Sequence, residues 1–162
     1  MKNSLFIPLL LASLISFAQP KIENNRLVLE KQVTFKTGTA ELTDEGKEAL
    51  VAVKDFLKQK DYISTMRVEG HTDNGGNETT NQTLTEQRAL AVCKWLAAYE
   101  IDCKRLLAVG FGSSKPVADN STPMGKAENR RMEFVMAALR GKAIGGMPLD
   151  GGGKVAGDVC AE

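Results

Sequence analysis

The sequence predicts an α/β fold: a two-layer β-α-β-α-β-(short α)-β sandwich whose mixed sheet carries both helices on one face. Three observations predict it. Apolar and polar residues alternate at period two in short runs, most clearly at Met66 to Glu69 and Met132 to Met136. Two longer stretches between such runs repeat apolar residues at helical spacing instead. The chain has 162 residues, 43% apolar and 25% charged, which suits one modest globular domain and excludes a large two-domain enzyme.

The elements follow in order. Residues 19–26 are a polar lead, and the domain proper is expected over 27–138. Leu27, Leu29, Val33 and Phe35 outline a first strand broken by charge. Thr43 can cap a helix whose Leu50, Val53, Phe56 and Leu57 share one face and should cover a sheet. Thr65 to Glu69 is a short strand, and Gly70 to Thr80 is too rich in Thr, Asn and Gly to belong to the core. A second helix should run from Asn81 or Gln82 to Tyr99, with Leu84, Val92, Trp95, Leu96 and Tyr99 on its apolar side. Leu106 to Val109 is a mostly apolar strand closed by the turn glycines Gly110 and Gly112. Thr122 caps a short helical turn, and Arg131 to Ala137 is the last strand. From 139 to 162 the chain holds nearly half of its 15 glycines and little apolar surface, so a flexible tail is expected.

Residues 1–18 read as a signal peptide: Lys2, an apolar run from Leu5 to Phe17, then small residues at Ser16 and Ala18. The run is shorter than the about 20 apolar residues that span a bilayer, so removal is expected rather than anchoring. No Cys follows the cleavage point, which argues against lipoprotein processing. The exported compartment allows disulfides, and Cys93 and Cys103, ten residues apart, are the candidates for one. The alternative makes Cys93 a small core residue; Cys160, in the tail, would be free for an intermolecular bond.

Composition excludes several functions. With 21 basic and 20 acidic residues there is no cationic excess to bind nucleic acid. One His rules out a zinc site built from several histidines. No metal, cofactor or catalytic residue is expected, because no nucleophile or acid-base pair is assembled by spacing.

The loop after the second strand is more informative. Asp73 lies just beyond a strand, and Arg88 sits about two turns into the next helix. They could form a mutual salt bridge or remain a solvated pair. Alternatively they could share a pocket for a zwitterion, Asp73 taking an ammonium while Arg88 grips a carboxylate through two hydrogen bonds. Arg130 and Arg131 open the last strand and could add a cation to the same rim.

Gly70-His71-Thr72-Asp73-Asn74, followed by Asn81-x-x-Leu84-Thr85-x-x-Arg88-Ala89-x-x-Val92, resembles the signature of the OmpA-like C-terminal domain family. So do Gly110-Phe-Gly112-x-x-x-Pro116, Ala118-Asp-Asn120 and Gly125-x-x-x-Asn129-Arg130-Arg131. The resemblance extends from about Val33 to Met136 and implies the OmpA-like fold. It also implies non-catalytic, non-covalent binding of peptidoglycan through the diaminopimelate of the stem peptide. Asp73 matches the family's ammonium-binding aspartate and Arg88 its carboxylate-binding arginine. Thr72, Asn81 and Leu84 match positions shaping the loop and helix start, and Asn129 and Arg131 match the closing motif. Thr85 stands in place of a commoner Ser, Lys126 in place of a usual Arg, and Met132 in place of a usual Val. The implied location is the periplasm, associated with the cell wall or outer membrane, with an outer-membrane-associated protein as a further partner. A periplasmic protein-protein adaptor or a wall-acting enzyme are the alternative functions. An eight-stranded barrel has no room before the first matching block.

Overall fold

The computed structural model describes residues 20–146 and 148–161; the expected signal peptide, 1–18, lies outside them. The elements are β1 (Lys21–Glu23), β2 (Arg26–Val28), α1 (Asp44–Gln59), β3 (Ile63–Gly70), α2 (Glu78–Ala98), β4 (Leu106–Gly110), α3 (Pro123–Asn129), β5 (Met132–Leu139), β6 (Lys142–Ala143) and β7 (Lys154–Val155). They build one mixed sheet in the order β1-β2-β5-β3-β4-β7, with β6 folded back on β5. β3 and β4 are parallel, joined through α2, and β5 runs antiparallel between β2 and β3.

Both long helices pack on one face of this sheet, as the sequence predicts. Leu50, Val53, Phe56 and Leu57 of α1 and Ala89, Val92, Cys93 and Leu96 of α2 join Met66, Val68, Ala108, Phe134 and Met136 in a single core. The α1 start agrees with the expected cap: the Thr43 hydroxyl accepts a hydrogen bond from the Gly46 N–H at 3.0 Å. Thr122 caps α3 in the same way. Trp95 is half-buried, but Tyr99, expected on the apolar side, is exposed and stacks on Trp95 with ring centres 4.2 Å apart.

Several expectations are corrected. The supposed polar lead is half of a hairpin: β1 pairs with β2 across Asn24 and Asn25, both at positive φ, the geometry a two-residue hairpin turn demands. The first strand accordingly ends at Val28, and Val33 to Phe35 lie in the following loop, where Phe35 bridges Leu42. α2 begins three residues before Asn81, capped by Asn77, whose Oδ1 accepts from the Thr80 N–H. Its first turn is polar and exposed, so apolar periodicity could not register it. Gly110 is a strand residue rather than a turn glycine. A Cβ there would come within 2.7 Å of the Glu86 backbone nitrogen, so the glycine lets β4 and α2 approach closely.

The larger corrections concern the C-terminus. The segment after 139 is packed rather than a free tail: β6 pairs with β5, β7 adds to the β4 edge, and Ala156 and Val159 are buried. The disulfide is Cys103–Cys160, with Cα atoms 5.3 Å apart, in place of the expected Cys93–Cys103 bond. Cys93 is a free thiol buried in the core. It faces the sheet from α2, whereas Cys103 is half-buried in the short 3-10 turn before β4, where the returning segment can reach it.

Candidate functional site

The open ends of β3 and β5 and the loop before α1 enclose a cavity of about 310 Å³. Gln32, Val33, Thr34, Phe35, Thr37 and Gly38 form one wall, and His71, Arg88, Arg130, Arg131 and Met132 form the other. Three guanidinium groups thus converge on one space.

Each is held differently. Arg88 projects from α2, donates from Nε to the Thr39 carbonyl at 2.9 Å, and lies with its guanidinium carbon 4.9 Å from the centre of the Phe35 ring. Among the described residues no carboxylate pairs with it. It is half-buried, and that burial pulls its pKa below the ordinary arginine value. Arg130 pairs with Asp73, Nη1 to Oδ2, at 2.5 Å. Arg131 donates from Nε to Glu133 at 2.6 Å, from Nη1 to the Asn129 carbonyl and from Nη2 to the Lys115 carbonyl. It is a fixed wall; Arg88 is the cation left without a counter-charge.

Asp73 therefore pairs with neither solvent alone nor Arg88, the two partners the spacing suggested. It stands beside the cavity wall and reaches it through Arg130. Burial disfavours its charge, yet the Arg130 hydrogen bond, the Gly75 N–H on Oδ1 at 2.8 Å and the nearby cations Arg130 and Lys126 outweigh this. Its carboxyl is held below the usual aspartate range.

The other expected residues divide into walls and supports. Asn129 is fully buried, and both halves of its amide are occupied. Oδ1 accepts from the Val117 and Ala118 N–H groups, and Nδ2 donates to the Ala118 carbonyl and Asn120 Oδ1. It shapes the loop beneath Arg130. Asn81 likewise donates to the Gly75 carbonyl at 2.8 Å and holds the loop carrying Asp73. Leu84 is half-buried on α2 and does not line the cavity. Thr72 is buried; its N–H bonds the Gly112 carbonyl, while its hydroxyl has no partner among the described residues. Thr85 is fully buried and its hydroxyl accepts from the Gly112 N–H, so the hydroxyl that stands in for Ser ties α2 to the loop after β4.

Sequence reasoning missed the residues that complete Arg88: the Thr39 carbonyl and the Phe35 ring. It also passed over a buried polar array behind the wall. Glu69 accepts from Arg67 Nε at 2.6 Å and lies 3.2 Å from His71 Nε2, and the His71 ring stacks on Phe111. Burial works against the Glu69 charge, but His71 and Arg67 prevail and its pKa lies below the ordinary glutamate value. Alternating charges along β3 and β5 were the available signal. Glu69, His71 and Glu133 have the composition of a metal site. Arg67 neutralises Glu69, however, while Arg131 and Arg26 neutralise Glu133, so the group is better described as a closed ion network.

The OmpA family model matches residues 34–130, a stretch that includes Asp73 and Arg88. The chain is 36% identical over 118 residues to the probable lipoprotein YiaD of Escherichia coli K12, covering 72% of this chain and 53% of that protein. It is 38% identical over 104 residues to the peptidoglycan-binding protein ArfA of Mycobacterium tuberculosis, covering 64% of this chain and 32% of that one. Among solved structures, the peptidoglycan-associated lipoprotein of Burkholderia pseudomallei superposes with a TM-score of 0.56 at 27% identity, over 65% of this chain and 86% of that one. The chain thus spans about half of one curated relative and about a third of the other. The family and its relatives' names agree with a location at the periplasm, cell wall or outer membrane. No helix among the described residues is long and apolar enough to cross a membrane.

Proposed function

The chain belongs to the OmpA family, and from that premise we propose that it binds peptidoglycan non-covalently, without chemistry, through the diaminopimelate of the stem peptide. The observation that carries the reading is Arg88. A half-buried guanidinium whose desolvation is offset only by the Thr39 carbonyl and the Phe35 ring, with no carboxylate partner among the described residues, has charge left for an anion. Its Nε is committed to Thr39, which leaves both Nη groups for two parallel bonds to a ligand carboxylate. Arg130 and Arg131 add positive potential to the same cavity. Asp73 stays ionised and accepts the ligand ammonium, which competes with Arg130 for Oδ2 and frees that guanidinium toward the ligand.

Calorimetry with two stem peptides tests this, one carrying diaminopimelate and one carrying lysine in its place. Lysine lacks the carboxylate at the side-chain end, so Arg88 should discriminate against it by at least tenfold. Equal affinity for both peptides would remove the assigned ligand. Incubation with intact sacculi separates the functional classes. Co-sedimentation without soluble fragments fits binding, released muropeptides indicate an enzyme, and neither outcome favours an adaptor.

A further inference from the structure

The sheet has a second face, and the C-terminal segment covers it. Arg67 and Glu69 alternate with Met66 and Val68 along β3 and so point away from both long helices. Arg67, Glu69, His71, Val109 and Phe111 are nevertheless all nine-tenths or more buried. Arg67 Nη1 donates to the Leu149 carbonyl at 2.7 Å, and Lys115 Nζ donates to the Gly151 carbonyl at 2.9 Å. Gly151, at φ +64°, crosses so close that a Cβ would lie 2.7 Å from the Arg67 guanidinium carbon. At Gly153 a Cβ would lie 2.4 Å from Val109 Cγ1 and 2.6 Å from the Phe111 ring. These glycines permit close approach; they are not a signature of disorder.

The segment then pairs as β7 with β4, rounds the sheet edge, tucks Ala156 and Val159 into the helix-side core, and ends at Cys160. Besides the Arg67 and Lys115 bonds, two ladder residues, the Ala156 N–H on the Ala108 carbonyl, the exposed Lys154–Glu86 pair and two apolar side chains hold this glycine-rich chain without a covalent link. The covalent bond to Cys103 closes the segment at its far end, and its loss would leave the segment to these few bonds. Cys160 is exposed and Cys103 half-buried, so the bond is open to a soluble thiol. Cys93 does not compete: it is buried, and burial pushes its thiol pKa up, away from the reactive thiolate.

We propose that residues 148–160 are a redox-controlled clasp on the binding cavity. While the Cys103–Cys160 bond is intact, the clasp presses Phe111 against His71 and holds His71 on the cavity wall; a dithiol releases it and weakens ligand binding. This rests on the cavity being the stem-peptide site. In the exchange, a reductant thiolate attacks one sulfur, forming a mixed disulfide with that cysteine and releasing the other as a thiolate. The reductant's second thiolate then attacks its own sulfur in the mixed disulfide and expels the first cysteine. Cys103 and Cys160 end as thiols with the two electrons and two protons gained, and the reductant ends as its cyclic disulfide.

The chain's single histidine makes the test direct, since every imidazole resonance belongs to His71. The full exported chain is studied by NMR and by calorimetry with the diaminopimelate peptide, before and after dithiothreitol. Reduction should shift the His71 ring resonances and lower affinity about tenfold, as expected if only a tenth of the molecules keep the wall in place, and reoxidation should restore both. Cys160→Ser should match the reduced chain and ignore dithiothreitol. Gly153→Ala should reproduce the loss with the disulfide intact, and circular dichroism separates this from unfolding. Unchanged affinity on reduction of a chain that binds would overturn the proposal, as would unmoved His71 resonances. If the oxidised chain binds no stem peptide, the peptidoglycan reading fails instead. The histidine signals then decide the clasp alone: a shift on reduction supports it and none rejects it.

Discussion

The two faces of the sheet are built on opposite physical terms. Toward the helices, Met66, Val68, Ala108, Phe134 and Met136 meet apolar side chains from α1 and α2. One residue along β3, Arg67 and Glu69 form an ion pair nearly as dry as that core, with the Leu149 carbonyl of a glycine-rich segment on Arg67, while Glu133 of β5 pairs with Arg131 and with the exposed Arg26. The first face gains from burial itself. The second recovers the cost of desolvated charge only because each charge has a specific partner. Stability on the apolar face should therefore tolerate a change of shape. On the polar face it depends on complete pairing.

The largest effect should come from the apolar face. Phe134→Ala removes a fully buried ring between β2 and β3 and should cost about 4 kcal/mol in urea unfolding. A loss below about 1 kcal/mol would mean that this face is not the principal core. Glu69→Gln keeps the volume but leaves Arg67 and His71 without their carboxylate, and should cost about 3 kcal/mol. The same pairing predicts acid sensitivity. Because the folded pKa of Glu69 is depressed, its contribution is complete above about pH 4.3 and fades as pH falls toward the lower folded value. The Glu69→Gln variant should lose part of that acid dependence, which a urea series from neutral to acid pH would reveal.

At the cavity, where both faces end, affinity rather than stability is the readout. Arg88→Ala should weaken binding of the diaminopimelate peptide by roughly one to two orders of magnitude, and Arg88→Lys should recover only part of it, since an ammonium lacks the paired geometry. Asp73→Ala should weaken it comparably by removing the partner of the ligand ammonium. The smallest effect is expected at Lys154, which pairs with Glu86 at 3.0 Å on the exposed side of β7. Lys154→Ala should change stability by no more than about 0.5 kcal/mol, and a larger change would shift the anchoring of the segment from its disulfide to its charges.

Local signals were legible. Thr43 and Thr122 could be read as caps because a cap depends on a hydroxyl and an N–H three residues away. The α1 face was legible because its apolar residues recur at one period. α2 was harder: Thr85 and Ala89, two of its five fully buried residues, carry little apolar signal, and its first turn is polar throughout. At the site, Asp73 and Arg88 stood out by residue type and by their family resemblance. Their partners did not. Arg88 finds the Thr39 carbonyl 49 residues away, and Asp73 finds Arg130 57 residues away, across elements whose meeting no local pattern encodes.

The family resemblance, rather than spacing, put Asp73 and Arg88 in one site; by itself the sequence determined the alternation of strands and helices and the apolar face of the sheet. Each follows from periodicity, capping or residue chemistry over a few positions. Only the tertiary structure decided which cysteines meet, what seals the polar face and why the C-terminal glycines are there. Cys103 and Cys160 are 57 residues apart, and Gly151 reads as flexible until the Arg67 guanidinium is found beneath it. A glycine's freedom in the unfolded chain and its close approach in the folded one arise from the same missing Cβ, and only the neighbour across the contact tells them apart.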